Sequence, residues 1–206
     1  LSYVPKISEK LPIMEIFYSI QGEGYYAGTP AIFIRLGGCD VGCVWCDVKE
    51  SWDEKDHPFF TVKEIVDQIQ DYPCKTIIVT GGEPLMYDMT ELTTALKAKE
   101  YQLNIETSGA YPMSGVWDWV CFSPKKFKAP DQSVYAAASE LKAIAFNKSD
   151  FKFAEEHAEQ VNDRCKLYLQ PEWSKADKMT PEIIEYVKAH SQWNISLQTH
   201  KYLDIR

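Results

Sequence analysis

The sequence lacks any apolar stretch near the ~18 residues that a membrane-spanning helix requires. Its opening, LSYVPKISEKLP, has no apolar segment behind a basic cluster, so no secretory leader is expected. It also lacks a positive excess: 22 Lys and Arg stand against 30 Asp and Glu, a formal net charge of −8. Nucleic acid and anionic membrane surfaces both call for a basic face, so neither is expected as a partner. An anionic small ligand would gain nothing from the overall field and must be held by local cations in a pocket. Repeats, low-complexity tracts and Gly/Pro-rich linkers are absent. One domain over residues 1–206 is therefore expected, long enough to bury a sizeable core. A disulfide framework is missing too, because Cys74, Cys121 and Cys165 stand alone and read as ordinary thiols. A reducing cytoplasm is the expected setting.

What is present is an alternation. AIFIRLGG (31–38) and KTIIVTGG (75–82) are apolar runs stopped by paired glycines, the pattern of buried strands. Further strands are expected at 102–106, 119–122, 141–145, 166–170 and 194–199, and a polar loop at 47–60. Helices are expected at 61–72, behind an N-cap Thr61 with Val62, Ile65, Val66 and Ile69 on one face, and at 89–100, 153–162 and 181–190. Strands alternating with helices imply parallel βα units. About six or seven strands are too few for a complete eightfold barrel of ~250 residues. The expected α/β fold is a partial, open TIM-like barrel with helices outside, and a doubly wound sheet is the alternative. In either, ligands collect at the carboxyl ends of the strands. That edge carries the cysteines, GGEP (81–84), ETSG (106–109), SPKK (123–126), QPEW (170–173) and QTHK (198–201).

GGCDVGCVWCD places Cys39, Cys43 and Cys46 within eight residues. Thiolates select zinc, copper(I) or iron–sulfur clusters. One reading is a Cys3His zinc site closed by His57 on the same loop, in a non-enzymatic interaction module. The other is a [4Fe–4S] cluster with one iron left for a ligand from outside the protein. Gly37, Gly38 and Gly42 suit a loop that wraps a bulky inorganic core, and Trp45 could shield one of its faces.

C-x3-C-x2-C after one strand and Gly-Gly-Glu-Pro after the next together resemble the radical S-adenosylmethionine (SAM) superfamily. There the open iron is chelated by the methionine moiety of SAM, and an electron from the cluster cleaves the sulfonium to give methionine and a hydrogen-abstracting 5′-deoxyadenosyl radical. SIQGEGYYAGTPAIFIRLGGC (19–39) and the C-terminal LQTHKYLDIR narrow this to a resemblance to the 7-carboxy-7-deazaguanine synthases, from residue 15 to 206. The resemblance implies conversion of 6-carboxy-5,6,7,8-tetrahydropterin to 7-carboxy-7-deazaguanine with ring contraction and loss of ammonia. A glycyl-radical activase, sharing the cysteine loop, is the alternative within the superfamily.

By the same resemblance, Cys39, Cys43 and Cys46 hold the cluster. Trp45, Cys46, Asp47, Gly82, Glu83, Ser123, Pro124, Lys125, Gln170, Pro171, Glu172 and Trp173 line the SAM site. Ile20, Gln21, Gly22, Glu23, Arg35, Thr80, His200 and Arg206 contact the pterin, with the tail 198–206 closing over it. Taken alone, Gln21 and Glu23 also fit a hairpin turn, and Arg35 a buried ion pair. A reductant protein such as a flavodoxin and a homodimer are expected as partners. The family pattern has Thr or Ser after C-x-x-C-D, a magnesium ligand, where this chain has Val48; Val offers no oxygen to Mg²⁺.

Overall fold

The apolar run before Gly37 forms strand β2 (Pro30–Leu36), and its alternate residues face two different environments. Ile32, Ile34 and Leu36 join the large core beneath the helices, whereas Ala31 and Phe33 join a small second core with Phe17 and Ile78. The same period of two recurs in the other strands: β4 (Thr76–Gly81), β5 (Gln102–Thr107), β6 (Trp119–Phe122), β7 (Glu140–Ala145), β8 (Lys166–Pro171) and β9 (Trp193–Ile195). Ile77, Val79, Leu103, Ile105, Leu141 and Ala143 pack outward against helices. Arg35, Thr80, Glu106, Lys142 and Gln170 line the concave side.

The structure is a computed structural model that describes residues 4–205. Its nine strands, which include β1 (Lys10–Ile20) and β3 (Phe59–Thr61), lie in the order β3-β1-β2-β4-β5-β6-β7-β8-β9. From β2 to β9 every neighbouring pair is parallel and in chain order, which is the open partial barrel expected. The order ends at β3 and β9, leaving the barrel unclosed. Across that gap, Gly24 N donates to Ser196 Oγ at 2.9 Å and Thr199 N donates to the Gly22 carbonyl at 2.9 Å.

Helices α1 (Val62–Ile69), α2 (Thr90–Lys97), α4 (Ser149–Ala158) and α5 (Ala176–Ala189) bury Ile65, Ile69, Leu92, Leu96, Ala154, Met179 and Ile183 against the sheet. Thr61 caps α1 in a reciprocal box with Glu64, which satisfies two otherwise orphaned backbone donors.

Several expectations need correction. Strand β1 (Lys10–Ile20), antiparallel to β2, and strand β3 (Phe59–Thr61), antiparallel to β1, were not expected; nor was helix α3 (Gln132–Ala137). The expected loop at 47–60 thus ends inside β3, and it holds two short 3-10 turns at 49–51 and 54–56. Helix α4 starts before residue 153 because Asp150 gathers the amides of Phe146 and Asn147, each at 2.7 Å. Helix α5 begins at Ala176 and runs through Pro181, which lies inside the helix and leaves one carbonyl of the preceding turn without its backbone donor. Strand 194–199 stops at Ile195: Ser196 turns its hydroxyl to Gln170 at 2.6 Å, and Thr199–Leu203 form a short helix, α6.

Candidate active site

The cysteine loop leaves β2 through Gly37 and Gly38. Gly38 has φ +92°, and a Cβ there would lie 2.2 Å from the Tyr87 hydroxyl, so only glycine fits. Tyr87 in turn donates to the Gly37 carbonyl at 3.0 Å. The loop is zipped to the Gly-Gly-Glu-Pro turn after β4. Gly82 N donates to the Leu36 carbonyl at 3.0 Å, and Glu83 N donates to that of Gly38 at 2.9 Å. A Cβ on Gly82 would sit 2.0 Å from the Gly38 carbonyl oxygen. The glycines therefore serve first to bring two strand-end loops together. Asp40, between the cysteines, accepts from Tyr111 at 2.7 Å and Lys128 at 2.6 Å, which ties down the outer part of the loop.

Cys39, Cys43 and Cys46 all face one cavity of about 290 Å³ at the carboxyl end of the parallel strands. Burial pushes the Cys39 thiol up to about 11, and burial also raises Cys43. Three thiols facing one cavity suit a soft metal centre that takes the place of their protons. His57 does not join them: its Nε2 lies 2.9 Å from the Glu50 carbonyl oxygen, and its ring packs against Gly37. The donor set is three sulfurs, which fits a cluster with one coordination position left for another molecule.

The site residues expected from the sequence line this same cavity, with two exceptions. Pro124 is buried between Ser123 and Lys125 and is absent from the lining, and Arg206 lies outside the described residues. On the cysteine side, Lys125 Nζ donates to the Ser123 carbonyl at 2.7 Å and lies 5.7 Å from the centre of the Trp45 ring. Burial lowers the Lys125 pKa. Glu83 faces the cavity, but protein donors occupy its carboxylate: Leu85 N at 3.0 Å, Thr107 Oγ1 at 2.5 Å, and both the amide and the hydroxyl of Ser108. It braces ETSG against GGEP. Gln170 accepts from Ser196, Glu172 caps the turn that follows β8, and Trp173 packs edge-on to Tyr202 at 5.2 Å.

On the other side, the β1–β2 hairpin loop carries Gln21 and Glu23, so the turn reading and the site reading hold together. Gln21 Nε2 donates to Glu106 at 2.7 Å. Glu23 receives Lys142 Nζ at 2.5 Å and Gln198 Nε2 at 2.9 Å. Burial, the largest single influence, pushes the Glu23 carboxyl up; Lys142, Gln198 and Gln170 together outweigh it and hold it down to about 2. Arg35 Nε pairs with Glu15 at 2.8 Å while its side chain faces the cavity, so it too combines both of its readings. From the tail, the His200 ring rests on Gly22, where a Cβ would meet Nδ1 at 2.2 Å. Lys201 reaches Asp47 at 2.8 Å. Burial works to raise the Asp47 carboxyl, but the hydrogen bonds it accepts from Lys201 and Gln198 bring it below its usual range.

Lys142 has no counterpart among the residues singled out in the sequence. It is 3% exposed on β7, and besides Glu23 it stands 3.8 Å from Glu106. Its signal was the inverted alternation of ELKAIA. Glu140, Lys142 and Ile144 point to the concave side, and Leu141, Ala143 and Ala145 to the helices.

Comparison with known proteins agrees with this geometry. The sequence pattern of the radical SAM superfamily matches residues 33–123, from inside β2 to just past β6. A 7-carboxy-7-deazaguanine synthase of Flavobacterium psychrophilum is 59% identical over 197 residues, covering 96% of this chain and 93% of that one. The enzyme of the same name from Synechocystis sp. is 49% identical over 195 residues, covering 95% and 93%. The crystal structure of QueE from Escherichia coli superposes with a TM-score of 0.84 at 31% identity, covering 91% of this chain and 93% of that chain.

Proposed function

Because the chain belongs to the 7-carboxy-7-deazaguanine synthase family of radical SAM enzymes, we propose that it converts 6-carboxy-5,6,7,8-tetrahydropterin to 7-carboxy-7-deazaguanine, with ring contraction and loss of ammonia. The observation that carries this is one cavity faced by three cysteines on one side and by Gln21 and Glu23, tied to Glu106 and Lys142, on the other.

Cys39, Cys43 and Cys46 are the residues to hold a [4Fe–4S] cluster. With SAM bound to it, the cluster supplies one-electron chemistry and a radical that abstracts hydrogen from the substrate. The chain's own residues bind, orient and enclose. Glu23 remains a carboxylate at any working pH, because Lys142 lies against it, and can accept from the amino and ring N–H groups of a pterin edge. Gln21 is held by Glu106 and offers its amide to the same edge. Arg35, at the mouth of β2, is the cation for the substrate carboxylate, locked in orientation by Glu15. Trp45, Lys125 and the segment from Gln170 to Trp173 form the SAM wall. The tail from Gln198 through Lys201 covers the substrate side and excludes water.

Val48 presents methyl groups to the cavity, and the neighbouring carboxylate of Asp47 is already engaged by Lys201. Magnesium would have to compete with that ammonium and rely on substrate and water oxygens. A weak Mg²⁺ requirement follows. A cytoplasmic setting, a reductant protein such as a flavodoxin and a homodimer complete the proposal; no helix among the described residues is long and apolar enough to cross a membrane. Neither alternative gains support: the relatives named above are all synthases, and His57 is committed to Glu50 rather than to the cysteines.

The test is an anaerobic assay with SAM, a strong reductant and 6-carboxy-5,6,7,8-tetrahydropterin. The 7-carboxy-7-deazaguanine product is expected. Cluster and SAM binding without that product would overturn the assignment of substrate.

A further inference from the structure

Behind the Gln21–Glu23 segment lies a second, much smaller space of about 10 Å³, bounded by Asn104, Glu106, Trp119, Cys121 and Glu140. Its volume is that of about one water molecule. Trp119 Nε1 is completely buried and has no hydrogen-bond partner among the described residues. The indole is not free to turn away, because Tyr25 stacks on it at 4.6 Å and Tyr26 meets it edge-on at 5.2 Å. A buried, fixed N–H donor beside a polar space of this size calls for a bound water.

Glu140, 3% exposed, forms the opposite wall. Its Oε2 accepts from the Tyr25 amide at 2.8 Å, and its Oε1 lies under Gly24, where a Cβ would be 2.2 Å away. The hairpin loop thus rests on this carboxyl. Three glutamates, Glu23, Glu106 and Glu140, crowd around Lys142, whose ammonium contacts Glu23 and Glu106. The other groups facing Glu140 are Tyr25 in the loop, Cys121 on β6, whose thiol hydrogen-bonds to it, Tyr168 on β8, Cys165 just before that strand, and the exposed Lys166, its ladder partner. Burial, only partly offset by Lys142, raises the Glu140 carboxyl above its usual range.

We propose that Glu140 and Trp119 Nε1 together bind one fixed water that braces the Gln21–Tyr25 loop from behind. Glu140 is then a positioning residue for the substrate wall, a role that rests on the function proposed above. Glu140 accepts from the Tyr25 amide with one oxygen and from the water with the other, and the water accepts from Trp119 Nε1.

A crystal structure should show an ordered water within hydrogen-bond distance of Trp119 Nε1, and an empty space there overturns the water. Glu140→Leu, which removes the acceptor for Tyr25, should raise the pterin KM by about tenfold while SAM affinity stays within about twofold. Glu140→Gln should recover KM to within about threefold of wild type; an equal loss in both variants overturns the positioning role. The crystallographic result stands whatever the substrate proves to be, so failure of the assigned reaction remains distinguishable from failure of this proposal.

Discussion

At the scale of single residues, the site is governed by how few cations serve its carboxylates. Glu23 depends on Lys142, whose ammonium it meets at 2.5 Å in a largely buried pair. Glu23→Gln removes a charge-assisted acceptor and should weaken pterin binding by about 1.5–3 kcal/mol, read as a Kd by titration calorimetry, with SAM affinity unchanged. The same pair has a signature in acid. The Glu23 carboxyl falls from 4.5 to about 2 on folding, so its contribution to stability is complete above about pH 4.5 and is lost as pH drops toward 2. Thermal melts between pH 6 and pH 3 should therefore fall more steeply for wild type than for Glu23→Gln; parallel curves would contradict the pairing. Val48 is the second case. Val48→Thr restores an oxygen beside Asp47, and Mg²⁺ should then stimulate turnover more than it does in the wild type. Tight Mg²⁺ activation of the wild type, unaltered by the substitution, would remove position 48 from any account of the metal.

At the scale of elements, stability and cluster binding are separable. Thr61→Ala breaks the capping box of α1, far from the cavity, and should cost about 1 kcal/mol. In a chain of this size that is a Tm lower by about 2–4 °C, with iron content intact. Gly82→Ala should do the reverse. Its Cβ would stand 2.0 Å from the Gly38 carbonyl oxygen, a backbone atom that cannot step aside, so the cysteine loop must part from the β4 turn. Iron per chain should fall by at least about half while the melt changes less. Elements also divide by how legible they were in the sequence. Strands β2 and β4 announced themselves, because both faces of a covered parallel strand are apolar and a glycine pair ends each. Strand β1 did not: KLPIMEIFYSI mixes Lys, Pro and Glu into its run, and it sits near the sheet edge, where one face needs no core. Lys142 escaped for a related reason. A lysine in a strand ordinarily signals solvent, whereas here alternate residues of β7 point into a polar barrel interior, and only the assembled sheet shows that. The cysteines, the Gln21–Glu23 loop and QTHK were legible because their residue types are costly or unusual at strand ends without a ligand to meet.

At the scale of the whole molecule, the open side of the barrel is sealed by its two ends. Lys201 pairs with Asp47 at 2.8 Å, but Asp47 is about half exposed, so the tie is worth no more than about 1 kcal/mol. Lys201→Met, which keeps a flexible stem over Trp173, should raise the pterin KM by about two- to fivefold, and the difference should shrink in high salt. A KM unchanged at low salt would make the tail contact incidental. The bond from Thr199 N to the Gly22 carbonyl joins positions 177 residues apart in the chain, with no strand ladder on either side to hold it. Amide protons are protected in proportion to the free energy of the opening that exposes them. The Thr199 amide therefore exchanges with solvent deuterium at the rate at which the seam opens, while the ladder amides of β4 and β5 wait for the sheet itself to come apart. That one proton is a built-in clock for entry and exit: slowed when substrate fills the cavity, hastened in Lys201→Met, and readable without a single turnover.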